Sequence, residues 1–119
     1  MLMGENMEAR AQLRYYRGSA QKVRLVANLI RGQQVAKALA TLQLTKKRCA
    51  RDLAKLLRSA VANLEQKSPG VDSGKLLVRR LQVDQGPAWK RFRAGSMGRG
   101  FPRLRRTCHV VVEVAEVER

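Results

Sequence analysis

A chain of 119 residues with 25 lysines and arginines against 9 acids carries a formal charge of +16. This excludes a free-standing globular role, because such a fold repels itself unless a polyanion covers it. Nucleic acid meets that requirement first, since each phosphate contact releases counterions; an anionic membrane comes second. Hydrophobic residues at 45% and aromatics at 4% exclude a disordered composition and predict one core of aliphatic side chains.

The start, MLMGENMEAR, lacks the apolar stretch of a signal peptide, and its acids do not suit a transit peptide. Residues 1–8 read as a flexible lead-in to one domain over 9–119, and the cytoplasm is the expected compartment. No run approaches the ~20 apolar residues of a membrane span. Two cysteines, Cys49 and Cys108, do not make a disulfide framework. No acid occurs over 9–51 or over 85–112, and these spans hold 11 and 7 basic residues. They are the expected contact surfaces.

In AQLRYYRGS (11–19), Leu13 and Tyr15 alternate with polar neighbours, which suits a short strand or an extended arm. Ser19 can cap a helix over about 20–31. Val23, Val26, Ala27 and Ile30 form one stripe, and Leu25 and Leu29 a second flank, which predicts a central helix. Arg24 and Arg31 share a polar edge, and Gly32 supplies the stop. A second helix is expected over about 34–42, where Val35, Ala38, Leu39 and Leu42 fit the helical template. Thr45 can cap a third, over about 46–66. There Cys49, Leu53, Leu56, Leu57, Ala60 and Leu64 fall within an arc of ~100°, and Lys47, Arg48, Arg51, Lys55 and Arg58 fill a similar arc opposite. Glu65 is the one acid expected on that basic side, so the face predicts RNA contact. SPGVDSG (68–74) is a loop.

Two strands follow, KLLVRRLQVD (75–84) and TCHVVVEVAEVE (107–118). Paired antiparallel with Val83 opposite Val110, they place Leu81 against Val112 and Arg79 against Val114. The hairpin midpoint then falls at Ser96–Met97, between Gly95 and Gly98, where a tight turn needs positive φ. The stretch between, KRFRAGSMGRGFPRLRR (90–106), has seven basic residues and no acid. It reads as the distal half of a very long hairpin, an arm over 85–106. From Asp84 to the tip is about 12 residues, or roughly 40 Å. No domain of this size covers that length with its own core. The arginines suit phosphates, and Phe92 and Phe101 suit stacking on bases.

Catalysis has little to stand on. The GSMGRG stretch lacks the lysine and setting of a phosphate-binding loop. Cys108 and His109 are adjacent on a strand and point to opposite faces, so they cannot act together. Cys49 reads as a core residue, and one histidine with two isolated cysteines makes no metal site. Asp84 reads as a turn residue ahead of Gly86-Pro87. The expectation is no enzyme, no cofactor and no metal. A DNA-binding protein lacks its recognition helix here, and a membrane-surface peptide its aromatic anchors.

GSAQKVRLVANLIRG (18–32) resembles the Ser-x-x-Lys-x-Arg-Leu-Val-x-x-Leu-Ile-Arg-Gly signature of large-subunit ribosomal protein family twenty-two, bacterial type. SAVANLE (59–65), VDQGPAWKR (83–91), Gly98-Arg99 and RRTCH (105–109) are similar to its later signatures, in order and without a gap from Asp84 to His109. The resemblance implies an α+β fold, with three helices packed on a small antiparallel three-stranded sheet and a long protruding β-hairpin. It implies a structural constituent of the large ribosomal subunit that binds rRNA across several domains and supports assembly. Its hairpin would line the nascent-peptide exit tunnel, facing ribosomal protein number four at the constriction. No membrane and no small-molecule substrate are implied.

Residue by residue, the rRNA-binding set is Ser19, Lys22, Arg24 and Arg31 from the first signature, with Lys90, Arg91, Arg99, Arg105, Arg106 and His109 from the later ones. The residue reading adds Lys47 and Arg51 on the third helix, and Arg93 and Arg103 on the arm. The tunnel-lining tip is Arg93, Ala94, Gly95, Ser96 and Met97. The family's tip arginine is a glycine here, Gly95, with Arg93 two residues away.

Overall fold

A computed structural model describes residues 8–70, 73–94 and 100–116. In chain order it contains β1 (Glu8–Arg17), α1 (Ala20–Ile30), α2 (Val35–Leu44), α3 (Arg48–Lys67), β2 (Leu76–Gln85), β3 (Trp89–Ala94), β4 (Gly100–Arg105) and β5 (Thr107–Glu116). Three strands form an antiparallel sheet in the order β1-β5-β2, and β3 pairs with β4 in a separate two-stranded ladder. The three helices pack on one face of the larger sheet, so the α+β architecture is as expected.

The central strand, β5, alternates from Cys108 to Val114: Cys108, Val110, Val112 and Val114 all face the helices and are buried. Both neighbours lose phase once. On β2 the buried residues are Leu76 and Val78, then Leu81 and Val83, and the register shifts between Val78 and Arg80. Val83 meets Val110 and Leu81 meets Val112 as expected, but Val78, not Arg79, meets Val114. Strict alternation would have buried a guanidinium among valines. The bulge turns Arg79 out, where it pairs with Glu8.

β1 does the same between Leu13 and Tyr16. Tyr16, not Tyr15, continues the inward series of Ala9, Ala11 and Leu13. Tyr15 takes up the slack at φ +55°, a left-handed conformation that costs a residue with a side chain about 1–2 kcal/mol.

α3 buries all six apolar residues expected of it, together with Ala50 and Ala54. Thr45 does not cap it. The Thr45 hydroxyl donates back to the Thr41 carbonyl at 2.7 Å and closes α2, while Lys47 stands at the α3 N-cap. α1 buries its first stripe, but Leu25 and Leu29 are 57% and 49% exposed. The helix lies along the edge of β2, so it has one covered face and is not central. Gly32 ends it at φ +79°, and its N–H donates to the Val78 carbonyl at 3.0 Å.

Helix side chains close both outer edges of the sheet. Arg24 and Arg31 donate to the Val83 and Leu81 carbonyls of β2. Asn63 and Lys67 of α3 donate to the Arg10 and Glu8 carbonyls of β1, each at 3.1 Å. Carbonyls two residues apart on a strand point the same way, so each helix satisfies a row of edge acceptors that would otherwise invite another strand.

β2 runs through Asp84, which stands opposite His109 and is a strand residue, not a turn residue. The chain leaves the sheet at Gly86. The Gly86 N–H donates to the Thr107 carbonyl at 2.9 Å, and the buried Thr107 hydroxyl donates to the Pro87 carbonyl at 2.5 Å. A Cβ on Gly86 would stand 2.7 Å from Thr107 Oγ1 and 3.2 Å from His109 Nε2, so any other residue at this crossing must displace one of those side chains. Beyond it the arm pairs Trp89 with Arg105 through Ala94 with Gly100. That register is centred on Met97, half a residue from the expected midpoint, because the ladder restarts after the crossing. The expected turn at Gly95 to Gly98 lies outside the described residues. Pro102 sits in a two-stranded ladder, where its missing N–H can face an unpaired edge.

Candidate nucleic-acid interface

Three basic regions and one mixed polar and aromatic face emerge. The first is a groove of about 850 Å³ between α2 and α3, lined by Lys46, Lys47, Arg48, Arg51, Lys55 and Arg58 over a floor that includes Leu39, Leu42 and Ala54. The sequence set Lys47 and Arg51 stands in it. Packing of the α3 leucines fixes the basic arc outward, and the turn after α2 adds Lys46. One acid, Asp52, also lines it, where the sequence reading had named Glu65 alone. Asp52 Oδ2 accepts from the Tyr16 hydroxyl at 2.5 Å. Burial, with this carboxylate beside it, pushes the Tyr16 phenol well above its ordinary range. The groove therefore presents six cations around a carboxylate already engaged by a neutral donor.

The second region is a recess of about 250 Å³ at the start of α1, lined by Ser19, Ala20, Gln21, Arg24, Gln85, Arg106 and Thr107. Here the fold joins residues from separate signatures: Ser19 and Arg24 from the first, Arg106 from the last. Ser19 has the extended backbone of an N-cap. Arg24 is tied down, since Nε and Nη2 both hold the Val83 carbonyl, at 3.1 and 2.9 Å. Lys22 is exposed on the same helix. Arg31 lies at the far end of α1 and is not part of the recess.

The arm is the third. Lys90, Arg91 and Arg93 lie on β3, and Arg103 and Arg105 on β4. Arg91 stands opposite Arg103 in the register, and like charges at directly opposed positions destabilise a ladder left to itself. Arg99, Gly95, Ser96 and Met97 lie outside the described residues. For a chain of this length a compact fold has a radius of gyration of about 13.5 Å. The value here is 17.9 Å, with extents of 70 × 28 × 19 Å, and that excess length is what a protruding arm contributes.

The outer face of the sheet is the fourth. His109 projects there, half-buried, with its Nδ1 accepting the Tyr15 N–H at 3.1 Å and its ring perpendicular to that of Tyr15, centroids 4.8 Å apart. The sequence reading found His109 but missed Tyr15. The signal was the doublet Tyr15-Tyr16, since alternation can seat only one of two adjacent tyrosines inward.

Among the described residues, no group of three or more His, Cys, Asp or Glu side chains could hold a metal ion. Burial raises the thiols of Cys49 and Cys108, which keeps them protonated. Among the described residues no helix is long and apolar enough to cross a membrane.

Comparison with known proteins agrees with this geometry. The family described as ribosomal protein L22p/L17e matches over residues 11–115. A protein of Solibacter usitatus named large ribosomal subunit protein uL22 is 46% identical over 112 residues, covering 94% of this chain and 99% of its own. Its namesake in Maridesulfovibrio salexigens is 50% identical over 111 residues, 93% of this chain and 100% of its own. Another, in Myxococcus xanthus, is 46% identical over 114 residues, 95% and 100% of the two chains. The chain thus belongs to the ribosomal protein L22p/L17e family and is a structural, non-enzymatic constituent of the large ribosomal subunit.

Proposed function

We propose that this protein binds large-subunit rRNA across several domains, supports assembly, and lines the nascent-peptide exit tunnel with its arm. The observation that carries this reading is the distribution of charge. Basic residues cover the α2–α3 groove and recur along the arm, so one globular domain, 9–119, offers surfaces to RNA segments that need not be adjacent in the rRNA sequence. Hydrophobic burial folds the globular part. The basic residues of the arm, 85–106, would be stabilised by phosphates on either side.

The proposed contacts are Ser19, Lys22, Arg24, Arg31, Lys47, Arg51, Lys90, Arg91, Arg93, Arg99, Arg103, Arg105, Arg106 and His109. Arg24 and Arg31 would contact RNA with the N–H groups their carbonyl partners leave unused. Arg93 to Met97 would face the tunnel, with ribosomal protein number four across the constriction.

Reversing the charge of Arg91, Arg99 and Arg105 together tests the arm. The isolated fold is expected to survive, while incorporation into large subunits, read by sucrose-gradient sedimentation at low and high salt, falls. Unimpaired, salt-resistant incorporation would show that the arm does not drive docking.

A further inference from the structure

Tyr15 is held in an unfavourable backbone conformation at a bulge where glycine would sit at no cost. The residue nonetheless remains 54% exposed. The phase shift of β1 explains the bulge, and it leaves the Tyr15 ring on the outer face, against His109. Strain of this kind is held in place by its surroundings and clusters at binding sites.

The surroundings indicate the use. The Tyr15 and His109 rings meet at 88°, forming a right-angled corner on the sheet face opposite the helices. The corner opens into a recess of about 340 Å³ that Gln12, Arg14, Asp84 and Val111 also line. A planar group laid on one ring presents its edge to the other. The recess then offers the Asp84 carboxylate as acceptor, the Gln12 amide as donor and acceptor, and the Arg14 guanidinium for a phosphate. The Tyr15 N–H fixes His109 by bonding Nδ1, and the absence of a Cβ at Gly86 leaves room for Nε2.

We infer that Tyr15 and His109 form a stacking corner that receives one unpaired nucleobase carrying an exocyclic amino group. This rests on the reading that the protein binds rRNA, and it adds a base-contacting site on the outer face of the sheet. The base stacks on the aromatic ring, its amino group donates to Asp84, and Arg14 holds the backbone beside it. A duplex end-to-end paired has no splayed base to offer and cannot use the corner.

His109 is the sole histidine of the chain, so its imidazole proton resonances report this corner without ambiguity. The full-length protein is titrated with a short oligoadenylate and with a fully paired RNA duplex of equal phosphate count. Oligoadenylate is expected to shift the His109 resonances upfield, and the duplex to leave them in place. Tyr15→Gly relaxes the backbone, so misfolding does not explain its effect. It is expected to weaken oligoadenylate binding about tenfold with duplex affinity unchanged, and Tyr15→Phe to bind like the parent. Equal His109 shifts with both RNAs, or parental oligoadenylate affinity in Tyr15→Gly, would overturn the base site while leaving salt-dependent RNA binding intact. If neither RNA binds, the rRNA reading fails together with this one.

Discussion

The Arg31 guanidinium donates from Nε and Nη2 to a single backbone oxygen, that of Leu81, at 3.0 and 2.8 Å. Two turns earlier on α1, Arg24 grips the Val83 carbonyl in the same way. Both arginines occupy positions that a basic, RNA-seeking sequence would assign to phosphates, and both also clamp the outer edge of β2. A planar fork can place two N–H groups on one oxygen, which an ammonium cannot do. Arg31→Lys is therefore expected to destabilise the isolated protein by about 1–2 kcal/mol in urea unfolding. Arg58→Lys, in the open groove, should stay within about 0.5 kcal/mol. Equal effects of the two would show that the clamp contributes nothing.

Gly86 stands where the arm leaves the sheet. Its missing Cβ leaves the space that Thr107 Oγ1 and His109 occupy. Gly86→Ala should cost about 1–3 kcal/mol, with the largest amide shift changes at Thr107 and His109. Thr107→Val, which deletes the bond to Pro87, should loosen the same crossing. A Gly86→Ala protein as stable as the parent would mean that the crossing has slack the geometry does not show.

Tyr16 gives the fold a pH dependence. Its phenol is held above the ordinary value by burial first and by the Asp52 carboxylate second. The folded state thus keeps the proton more tightly than the unfolded chain. The resulting stability is fully present below about pH 10, the ordinary tyrosine value, and is lost as the pH rises toward the raised one. The parent should lose stability more steeply than Tyr16→Phe above that point. At neutral pH the Phe variant should be about 1–2 kcal/mol less stable, because Asp52 loses its donor. Parallel stability–pH curves would rule out the linkage.

Cys49 and Cys108 are both buried, and burial leads the causes that raise each thiol. Neither should react with an aromatic disulfide reagent at mildly alkaline pH until the protein opens, so modification should proceed at the unfolding rate and accelerate with urea. Instant labelling of either would show the α3–sheet contact to be open.

Much of this protein is legible in one dimension. The α3 arc, the stop at Gly32 and the pairing of Val83 with Val110 follow from period and turn chemistry alone, because a helix face and a strand face are each set by local spacing. The charge likewise names a polyanionic partner without any fold. The misses share one cause, which is that they depend on which neighbour a residue meets. Thr45 fits either end of a helix, and only the path from α2 into α3 decides which. Leu25 and Leu29 read as buried until α1 is seen lying along a strand edge. The doublets Tyr15-Tyr16 and Arg79-Arg80 each break a period-2 pattern. Where the chain absorbs the extra residue depends on β5, whose alternation from Cys108 to Val114 sets the register that both neighbours must join. Composition and period therefore determined the elements and the kind of partner. The tertiary structure alone decided the two bulges, the clamps that close the sheet edges, and the corner in which Tyr15 meets His109, because each forms between side chains or strands distant in the chain.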